Sequence, residues 1–321
     1  MQEKILITGA CGQVGSELTA ALREKHGEGA VIATDIREPQ DEALKSGGPF
    51  QKLDVLDEKS FRDLAAKEKF TQIYHMAALL SAEAEKKPMF GWQLNMEGLL
   101  NVLNIARDQQ IRQIYYPSSI AIFGPGTPKQ NTPQQTIMDP NTVYGISKLA
   151  GEGWCNYYFE KYGIDVRGLR YPGLISYKTE PGGGTTDYAV EIFYHAFEDK
   201  KFTSFLQEDT TLPMMYMPDA IKATIELMEA PSSQISVRGG YNIAGFSFSP
   251  TELASEIRKQ TGEFNLNCEP DYRQQIADSW PQSIDDTQAR KDWNWKPDFD
   301  LTEMTKDMLD NVSKKLNKAL S

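Results

Sequence analysis

Hydrophobic positions in the first half of the chain alternate between short apolar runs and longer segments with helical spacing. The apolar runs at residues 4–8, 30–35, 72–76, 113–116 and 165–170 predict buried strands. Apolar residues three and four apart predict helices at residues 14–25, 57–67, 89–110 and 143–162. Strands that alternate with helices indicate βαβ units, and therefore an α/β fold with a doubly wound parallel sheet.

The pattern changes after Tyr171-Pro172-Gly173. Helices are expected at residues 187–199, 218–230 and 250–262, and a strand at 241–243 suggests that the chain crosses back once. The 321 residues exceed the roughly 250–300 that one hydrophobic core supports. We therefore expect a larger lobe of residues 1–175, with a return near 214–245, and a smaller lobe of residues 176–321.

The charge and composition narrow the possible partners. The chain has 34 basic and 45 acidic residues, and its net charge of -11 argues against a nucleic-acid partner. No apolar run reaches the ~18 residues of a membrane span, and the N-terminus runs straight into a strand, so neither membrane nor signal peptide is expected. Three cysteines and three histidines are scattered along the chain, which predicts a reducing, cytoplasmic location and no metal site.

Glycines recur at every third position between the first strand and the first helix. Gly9, Gly12 and Gly15 would allow a tight turn, close approach of a pyrophosphate and close packing of helix on strand. Asp35 ends the next strand, where an acid accepts hydrogen bonds from the ribose of NAD and repels the extra phosphate of NADP. The motif predicts a Rossmann-type dinucleotide site. A purely structural turn is the alternative, and Arg37 leaves NADP open.

A further acid follows the predicted second strand after a loop. Asp54 comes directly after Leu53 and would accept a hydrogen bond from the adenine amine, or would be an ordinary solvated loop acid. We place Ile36, Leu53, Asp54 and Val55 with Asp35 in the expected adenosine region.

Tyr144 and Lys148 lie four residues apart in a predicted helix, and therefore on one helix face. A nearby ammonium favours the phenolate, so we expect Lys148 to lower the pKa of Tyr144 and to allow proton exchange near neutral pH. Ser119, at the end of a predicted strand, would orient a substrate oxygen and is preferred over Ser118. The alternatives are a surface aromatic beside a solvated lysine, and serines that satisfy a turn.

The combination of the glycine turn, Asp35, Ser119 and Tyr144-x-x-x-Lys148 resembles the extended short-chain dehydrogenase/reductase superfamily over most of the chain. The superfamily includes nucleotide-sugar epimerases and dehydratases. Five further segments resemble the short-chain-type L-threonine 3-dehydrogenases within it: residues 78–83, 95–98, 117–124, 170–176 and, most specifically, 181–189, Pro-Gly-Gly-Gly-Thr-Thr-Asp-Tyr-Ala. The resemblance implies oxidation of L-threonine by NAD to 2-amino-3-oxobutanoate.

The resemblance also implies which residues bind each ligand. For NAD these are, besides the residues above, Gln13, Val14, Met76, Ala77, Ala78, Asn95, Pro117, Tyr144, Lys148, Tyr171, Gly173, Leu174 and Ile175. For the amino acid they are Ser81, Ser119, Tyr144, Gly184, Thr185, Thr186 and Trp280. Thr186 is expected to cap the next helix, whose free N–H groups would receive a carboxylate, and simple capping of a hinge loop is the alternative. Trp280 would cover the pocket or be a buried tail aromatic.

In the resulting hypothesis Tyr144 acts as the general base, Lys148 lowers its pKa and Ser119 holds the substrate oxygen. Two rival functions remain: a nucleotide-sugar epimerase or dehydratase with the same machinery, and a non-catalytic dinucleotide sensor. The nucleotide-sugar enzymes usually carry an Asn-containing segment where this chain has Pro172-Gly173-Leu174. The helices near 89–110 and 143–162 commonly form a dimer interface in this superfamily, so a homodimer is expected.

Overall fold

A computed structural model describes residues 3–179 and 184–320. The strands are β1 (Ile5–Thr8), β2 (Val31–Asp35), β3 (Phe50–Lys52), β4 (Gln72–His75), β5 (Gln113–Ser119), β6 (Asp165–Tyr171), β7 (Gly173–Ile175), β8 (Lys201–Ser204), β9 (Leu212–Tyr216), β10 (Tyr241–Asn242), β11 (Phe246–Phe248) and β12 (Asn265–Cys268). The helices are α1 (Gln13–His26), α2 (Glu42–Ser46), α3 (Glu58–Glu68), α4 (Ser81–Lys86), α5 (Pro88–Asp108), α6 (Val143–Tyr162), α7 (Tyr188–Glu198), α8 (Met217–Glu229), α9 (Pro250–Thr261), α10 (Arg273–Ser279), α11 (Thr287–Trp293) and α12 (Leu301–Leu320).

The centre of the molecule is a seven-stranded sheet in the order β10-β6-β5-β4-β1-β2-β3. Every neighbouring pair of strands in it is parallel. The predicted α/β fold with a doubly wound parallel sheet is therefore confirmed. The strand order reverses between β1 and β4, and in such sheets ligands bind outside the carboxyl ends of the strands at this switch point.

Helices cover both faces of this sheet because the strands are apolar on both sides. On one face α1 and α8 pack on the sheet through Leu18, Leu22 and Leu227. On the other face α3, α5 and α6 bury a second cluster that includes Phe61, Leu103 and Tyr158. β10 adds to the edge of the sheet beside β6, so residues far along the chain return to it.

The remaining elements surround a third hydrophobic cluster next to the carboxyl end of β5. It joins residues of α7, α9 and α12 with the three-stranded sheet β11-β9-β7. The sequence patterns did not predict α12, although Asp300 and Glu303 form a reciprocal cap at its start: each backbone N–H donates to the other residue's carboxylate. The division of the chain near residue 175 stays a prediction. Within the described ranges no helix is long and apolar enough to cross a membrane.

Candidate active site

The glycine turn lies at the switch point of the sheet, between β1 and the start of α1. Gly9 has a φ of +67°, and a Cβ there would lie 2.5 Å from the backbone nitrogen of Ala77. A Cβ at Gly15 would overlap the carbonyl oxygen of Gly9, so this glycine lets α1 pack against the turn. A Cβ at Gly12 would meet only the Gly9 oxygen, at 3.2 Å. Gly9 and Gly15 therefore allow close contacts between backbone segments, and Gly12 leaves the space that a phosphate group needs.

The first turn of α1 supplies the donors for such a phosphate. Gly12 is the N-cap and no side chain caps the helix, and no acidic residue lies in its first turn. The N–H groups at the start of a helix have no partner within the helix and carry the positive end of its dipole. Gln13 and Val14, the first two helical residues, thus present backbone donors at the switch point.

Asp35 lies beside the glycine turn, at the carboxyl end of β2. Its carboxylate accepts hydrogen bonds from the backbone of Cys11 at 3.0 Å and of Arg37 at 2.9 Å. The Arg37 guanidinium is exposed and approaches the same carboxylate at 3.4 Å. Ile36 is exposed next to it. The two backbone donors fix the carboxylate where a cofactor ribose would lie, while the arginine remains available to solvent.

One backbone hydrogen bond joins the segment after β3 to Asp35. The Leu53 N–H donates to the Asp35 carbonyl at 3.0 Å, and both Leu53 and Val55 are buried. Asp54 is exposed, and its carboxylate accepts from the backbone of Leu56 at 2.9 Å. Its side chain therefore already closes a local turn, with room for a further donor.

The segment after β4 runs along the glycine turn. The Met76 N–H donates to the Thr8 carbonyl at 3.1 Å, and Ala77 and Ala78 follow half-buried. Asn95, buried in α5, holds the next residue: its side chain accepts from the Leu79 N–H at 2.8 Å and donates to the Leu79 carbonyl at 3.1 Å. The Asn95 amide thus fixes the loop that leads to Ser81.

Tyr144 and Lys148 lie on the face of α6 that packs on β5. The Lys148 side chain is 3% exposed, and its Nζ donates to the Pro117 carbonyl at 2.6 Å. Nζ lies 5.5 Å from the centre of the Tyr144 ring. Thr142 caps the helix by accepting from the Gly145 N–H at 3.1 Å, which fixes the first turn that carries Tyr144.

Burial affects the protonation of both members of this pair. Burial raises the pKa of Tyr144 to about 12, although a side-chain hydrogen bond with Ser119 acts in the opposite direction. Burial also lowers the pKa of Lys148 to about 8. In the cofactor-free protein, burial thus acts against the lowering of the Tyr144 pKa that is expected from Lys148, and that expected role stays a prediction. Loss of water around the phenol outweighs the neighbouring groups.

The two serines at the end of β5 face different partners. Ser119 lies close enough to the Tyr144 hydroxyl to lower its pKa, and the Ser119 Oγ accepts from the Ala121 N–H at 3.2 Å. Ser118 is 1% exposed and donates to the Glu152 carboxylate at 2.5 Å. Ser119 is the last residue of β5, so it lies at the carboxyl edge of the sheet. Ser119 is thus the serine beside the tyrosine hydroxyl.

The end of β6 and the start of β7 carry the next group of expected cofactor residues. Tyr171 is buried, and its hydroxyl bonds with Thr224 of α8. A Cβ at Gly173 would lie 2.7 Å from the Cγ2 of Thr186. The glycine therefore lets the Thr186 turn lie directly on β7, which continues through Leu174 and Ile175.

The expected amino-acid residues come from three separate segments. Ser81 is half-buried at the first position of α4. Thr185 is 4% exposed, and Trp280 is buried in the hydrophobic cluster on which Tyr144 packs. Pro181, Gly182 and Gly183 lie outside the described residues. Trp280 and Tyr144 thus belong to the same hydrophobic cluster, and Ser81 directly follows the loop that Asn95 fixes.

The predicted cap of the following helix is wrong by one residue. Asp187, not Thr186, occupies the N-cap of α7. Its carboxylate accepts from the Gly184 N–H at 2.7 Å, and its own N–H donates to the Gly184 carbonyl at 3.2 Å. Because Asp187 closes the turn at both ends, the hydroxyl groups of Thr185 and Thr186 are not needed for capping.

Sequence reasoning missed a buried ion pair behind the site. Arg170 of β6 binds Glu152 of α6 through two hydrogen bonds of 2.9 and 2.8 Å, and both side chains are nearly inaccessible. The available signal was the spacing of Tyr144, Lys148 and Glu152, which places an acid on the same helix face one turn beyond the lysine. Within the described ranges, no cluster of histidine, cysteine and acidic side chains could hold a metal ion.

The model of the NAD dependent epimerase/dehydratase family matches residues 5–244. The chain belongs to this family. NAD is therefore its cofactor, and the glycine turn, the capless start of α1 and the carboxylate of Asp35 fit a dinucleotide. The sequence-based prediction of NAD is confirmed.

Relatives within the epimerase/dehydratase family extend over the whole chain. An uncharacterized epimerase/dehydratase of Staphylococcus haemolyticus is 49% identical and covers 98% of both chains. A GalE-like L-threonine dehydrogenase from Cupriavidus necator, in its holo form, is 54% identical, with a TM-score of 0.94 over 96% of this chain and 99% of that chain. L-threonine dehydrogenase from Clostridium difficile is 49% identical, with a TM-score of 0.96 over 98% of both. The resemblance to L-threonine 3-dehydrogenases is thereby confirmed.

Proposed function

We propose that the protein catalyses the first step of threonine breakdown, the NAD-dependent oxidation of the L-threonine side-chain hydroxyl to give 2-amino-3-oxobutanoate. The observation that carries the proposal is the Tyr144–Lys148 pair with Ser119 at the end of β5. The similarity to L-threonine dehydrogenases of about half identical sequence supports the choice of substrate. The substrate is a small molecule whether it is L-threonine or a nucleotide sugar.

The cofactor would lie across the carboxyl ends of the strands. Its pyrophosphate would bind at Gly12 and the first turn of α1, its adenosine ribose at Asp35, and its other ribose near Lys148. When bound, the nicotinamide ring accepts a hydride. The chain's own residues must then orient the donor carbon, accept the hydroxyl proton and exclude water.

Tyr144 is the group for the proton. In the proposed step, the O–H proton of threonine passes to the Tyr144 phenolate, the C3–H bond releases its hydride, and a C=O bond forms at C3. Ser119 donates to the same oxygen and holds it beside the tyrosine hydroxyl. Burial raises the pKa of Tyr144 to about 12 in the cofactor-free protein, and in the proposal the positive charge of Lys148 would favour the phenolate against this effect.

The charged ends of the amino acid would bind between Ser81 and the turn of Gly184, Thr185 and Thr186. Asp187 shapes this turn, which leaves the threonine hydroxyls as donors to a carboxylate. A net-neutral amino acid suits a chain whose net charge is -11 better than a sugar diphosphate does.

We also propose a homodimer through α5 and α6. Large apolar and aromatic side chains remain exposed on these two helices, among them Trp92, Ile146, Trp154 and Tyr157. Large apolar side chains exposed on two neighbouring helices are typical of an interaction surface, and a second copy of the chain is the partner that the superfamily resemblance implies.

The test is NADH formation, followed at 340 nm, with L-threonine and NAD. Parallel reactions with L-serine, D-threonine, L-allo-threonine and UDP-glucose define the substrate class. The proposal expects a strong signal with L-threonine and none with UDP-glucose. Absence of signal with L-threonine would overturn the proposed substrate, and tight binding of UDP-glucose would favour the nucleotide-sugar alternative.

A further inference from the structure

We propose that Glu152 is a positioning residue that sets the place of Lys148 and Ser119, and through them of Tyr144. The inference rests on the proposed function for its kinetic consequences, but its structural part concerns only how α6 is fixed on β5. Glu152 touches neither the expected substrate nor the cofactor site, and it acts through its neighbours.

Three consecutive residues of β5 contact three residues of one face of α6. The Pro117 carbonyl accepts from Lys148 at 2.6 Å, and the Ser118 hydroxyl donates to Glu152 at 2.5 Å. Ser119 lies close enough to the Tyr144 hydroxyl to lower the pKa of that phenol. Along β5, the contact with Glu152 therefore lies between the contacts with Lys148 and Tyr144, the two residues of α6 in the proposed reaction.

The Glu152 carboxylate is itself fixed from the neighbouring strand. Arg170 is the register partner of Ser118 on β6, and it holds both carboxylate oxygens, at 2.9 and 2.8 Å. The remaining nitrogen of the same guanidinium donates to the Gln134 carbonyl at 2.9 Å and to the Asn242 side chain at 3.0 Å. The pair thus ties α6 to β5, β6 and β10 at the carboxyl end of the sheet.

The packing leaves little room for another arrangement. A Cβ at Gly240 would overlap the Glu152 carboxylate, and a Cβ at Gly151 would overlap the hydroxyl of Tyr116. Glu152 is 4% exposed and Arg170 is also 4% exposed. A buried hydrogen-bonded ion pair in such surroundings cannot shift without moving the backbone that presents Pro117 and Ser119.

A merely structural ion pair would support folding without affecting the site. The chain offers a matched control at the opposite end of the same strand β6. There Asp165 binds Arg167 at 2.7 Å and also Arg238, far from the carboxyl ends of the strands. Asp165→Asn removes the charge of a partly buried carboxylate that pairs with arginine, as Glu152→Gln does for a buried one, but it leaves the contacts between β5 and α6 in place.

The experiment compares Glu152→Gln, Ser118→Ala and Asp165→Asn with the wild type. Ser118→Ala removes one hydroxyl and leaves the ion pair intact, so it keeps the test valid if Glu152→Gln does not fold. Each protein is measured for Tm, for Kd of NADH by fluorescence titration, and for kcat and KM with L-threonine at a temperature well below the lowest Tm.

We expect Glu152→Gln and Ser118→Ala to lower kcat on the order of tenfold or more, since small misplacements of reacting groups have large effects. The KM for L-threonine should change less than about twofold. The Kd of NADH should rise several-fold because Lys148 is displaced. Asp165→Asn should lower Tm while leaving kcat and Kd within about twofold of the wild type.

The inference is overturned if Asp165→Asn and Glu152→Gln lower kcat and NADH affinity equally at equal loss of Tm, or if Ser118→Ala leaves both unchanged. Should the wild type fail to oxidise L-threonine, the proposed function fails. In that case the NADH affinities of the variants still decide the positioning role, because they need no substrate.

Discussion

The Lys148 ammonium is buried at the carboxyl end of β5, where it donates to a neutral carbonyl. Burial lowers its pKa from 10.5 to about 8, which corresponds to a cost of about 3 kcal/mol for keeping the charge at neutral pH. Replacing Lys148 by Met removes this cost. The replacement also leaves the Pro117 carbonyl without its donor, which costs about 1–3 kcal/mol. The two effects nearly cancel at neutral pH.

The pH dependence separates the two effects. As the pH rises through about 8, the folded wild type loses the Lys148 proton and is relieved of the buried charge, while the unfolded chain keeps the proton up to its ordinary pKa. The wild type therefore gains stability with rising pH, and the Met variant, which has no such proton, does not. Between about pH 7 and pH 9.5 the gain amounts to about 2 kcal/mol. The carbonyl contribution is the same at both values of pH.

The assay is denaturant unfolding of the cofactor-free proteins, followed by tryptophan fluorescence at about pH 7 and 9.5. The free energy of unfolding of Lys148→Met minus that of the wild type should fall by about 2 kcal/mol from the lower to the higher pH. Lys161→Met, which changes an exposed lysine of the same helix, should show a constant difference. If the difference for Lys148→Met is equally constant, the ammonium is not buried as described and the reasoning is refuted.

Three further predictions follow from the site and its surface. Tyr144→Phe should lower turnover by about 10²–10⁴-fold with NADH affinity nearly unchanged. Tyr157→Phe changes an exposed tyrosine of the same helix and should keep full turnover. Retained turnover in Tyr144→Phe would remove Tyr144 from the reaction. Gly9→Ala should lose NADH binding and lower Tm, because φ is +67° there, and unchanged binding in a fluorescence titration would contradict the assigned turn. Sedimentation should give twice the chain mass for the wild type and a monomer for Trp154→Arg; a monomeric wild type would refute the dimer.

Much of the fold could be predicted because its signals are local. β1, β2, β4, β5 and β6 coincide with the predicted strands, and α5 and α6 with the predicted long helices between them. β3 was missed because Phe50–Lys52 has three residues, of which only Phe50 is apolar. β9 was missed because Leu212–Tyr216 contains a proline and has no alternation, and it pairs with strands far away in the sequence. The helix α12 was missed because its amphipathic pattern lies in a highly charged tail.

The site could be predicted where a spacing carries it, as with Gly9, Gly12, Gly15 and the Tyr144–Lys148 pair. Its electrostatics could not, since the pKa of a phenol depends on how much water the fold removes from it. The role of Glu152 was likewise hidden, because its partners Ser118 and Arg170 come from two strands and meet only in the folded sheet. Local motifs thus identify the reacting groups, and tertiary contacts decide how those groups are held.

The central claim is that a hydride leaves C3 of L-threonine while Tyr144 takes the hydroxyl proton. It is tested most directly by incubating the protein with NAD and L-threonine that carries deuterium at C3, and by determining the mass of the reduced cofactor. The account predicts one deuterium in each molecule of NADH formed, and none when the label is at C2. Unlabelled NADH from the C3-labelled substrate, or no reduced cofactor at all, would contradict it.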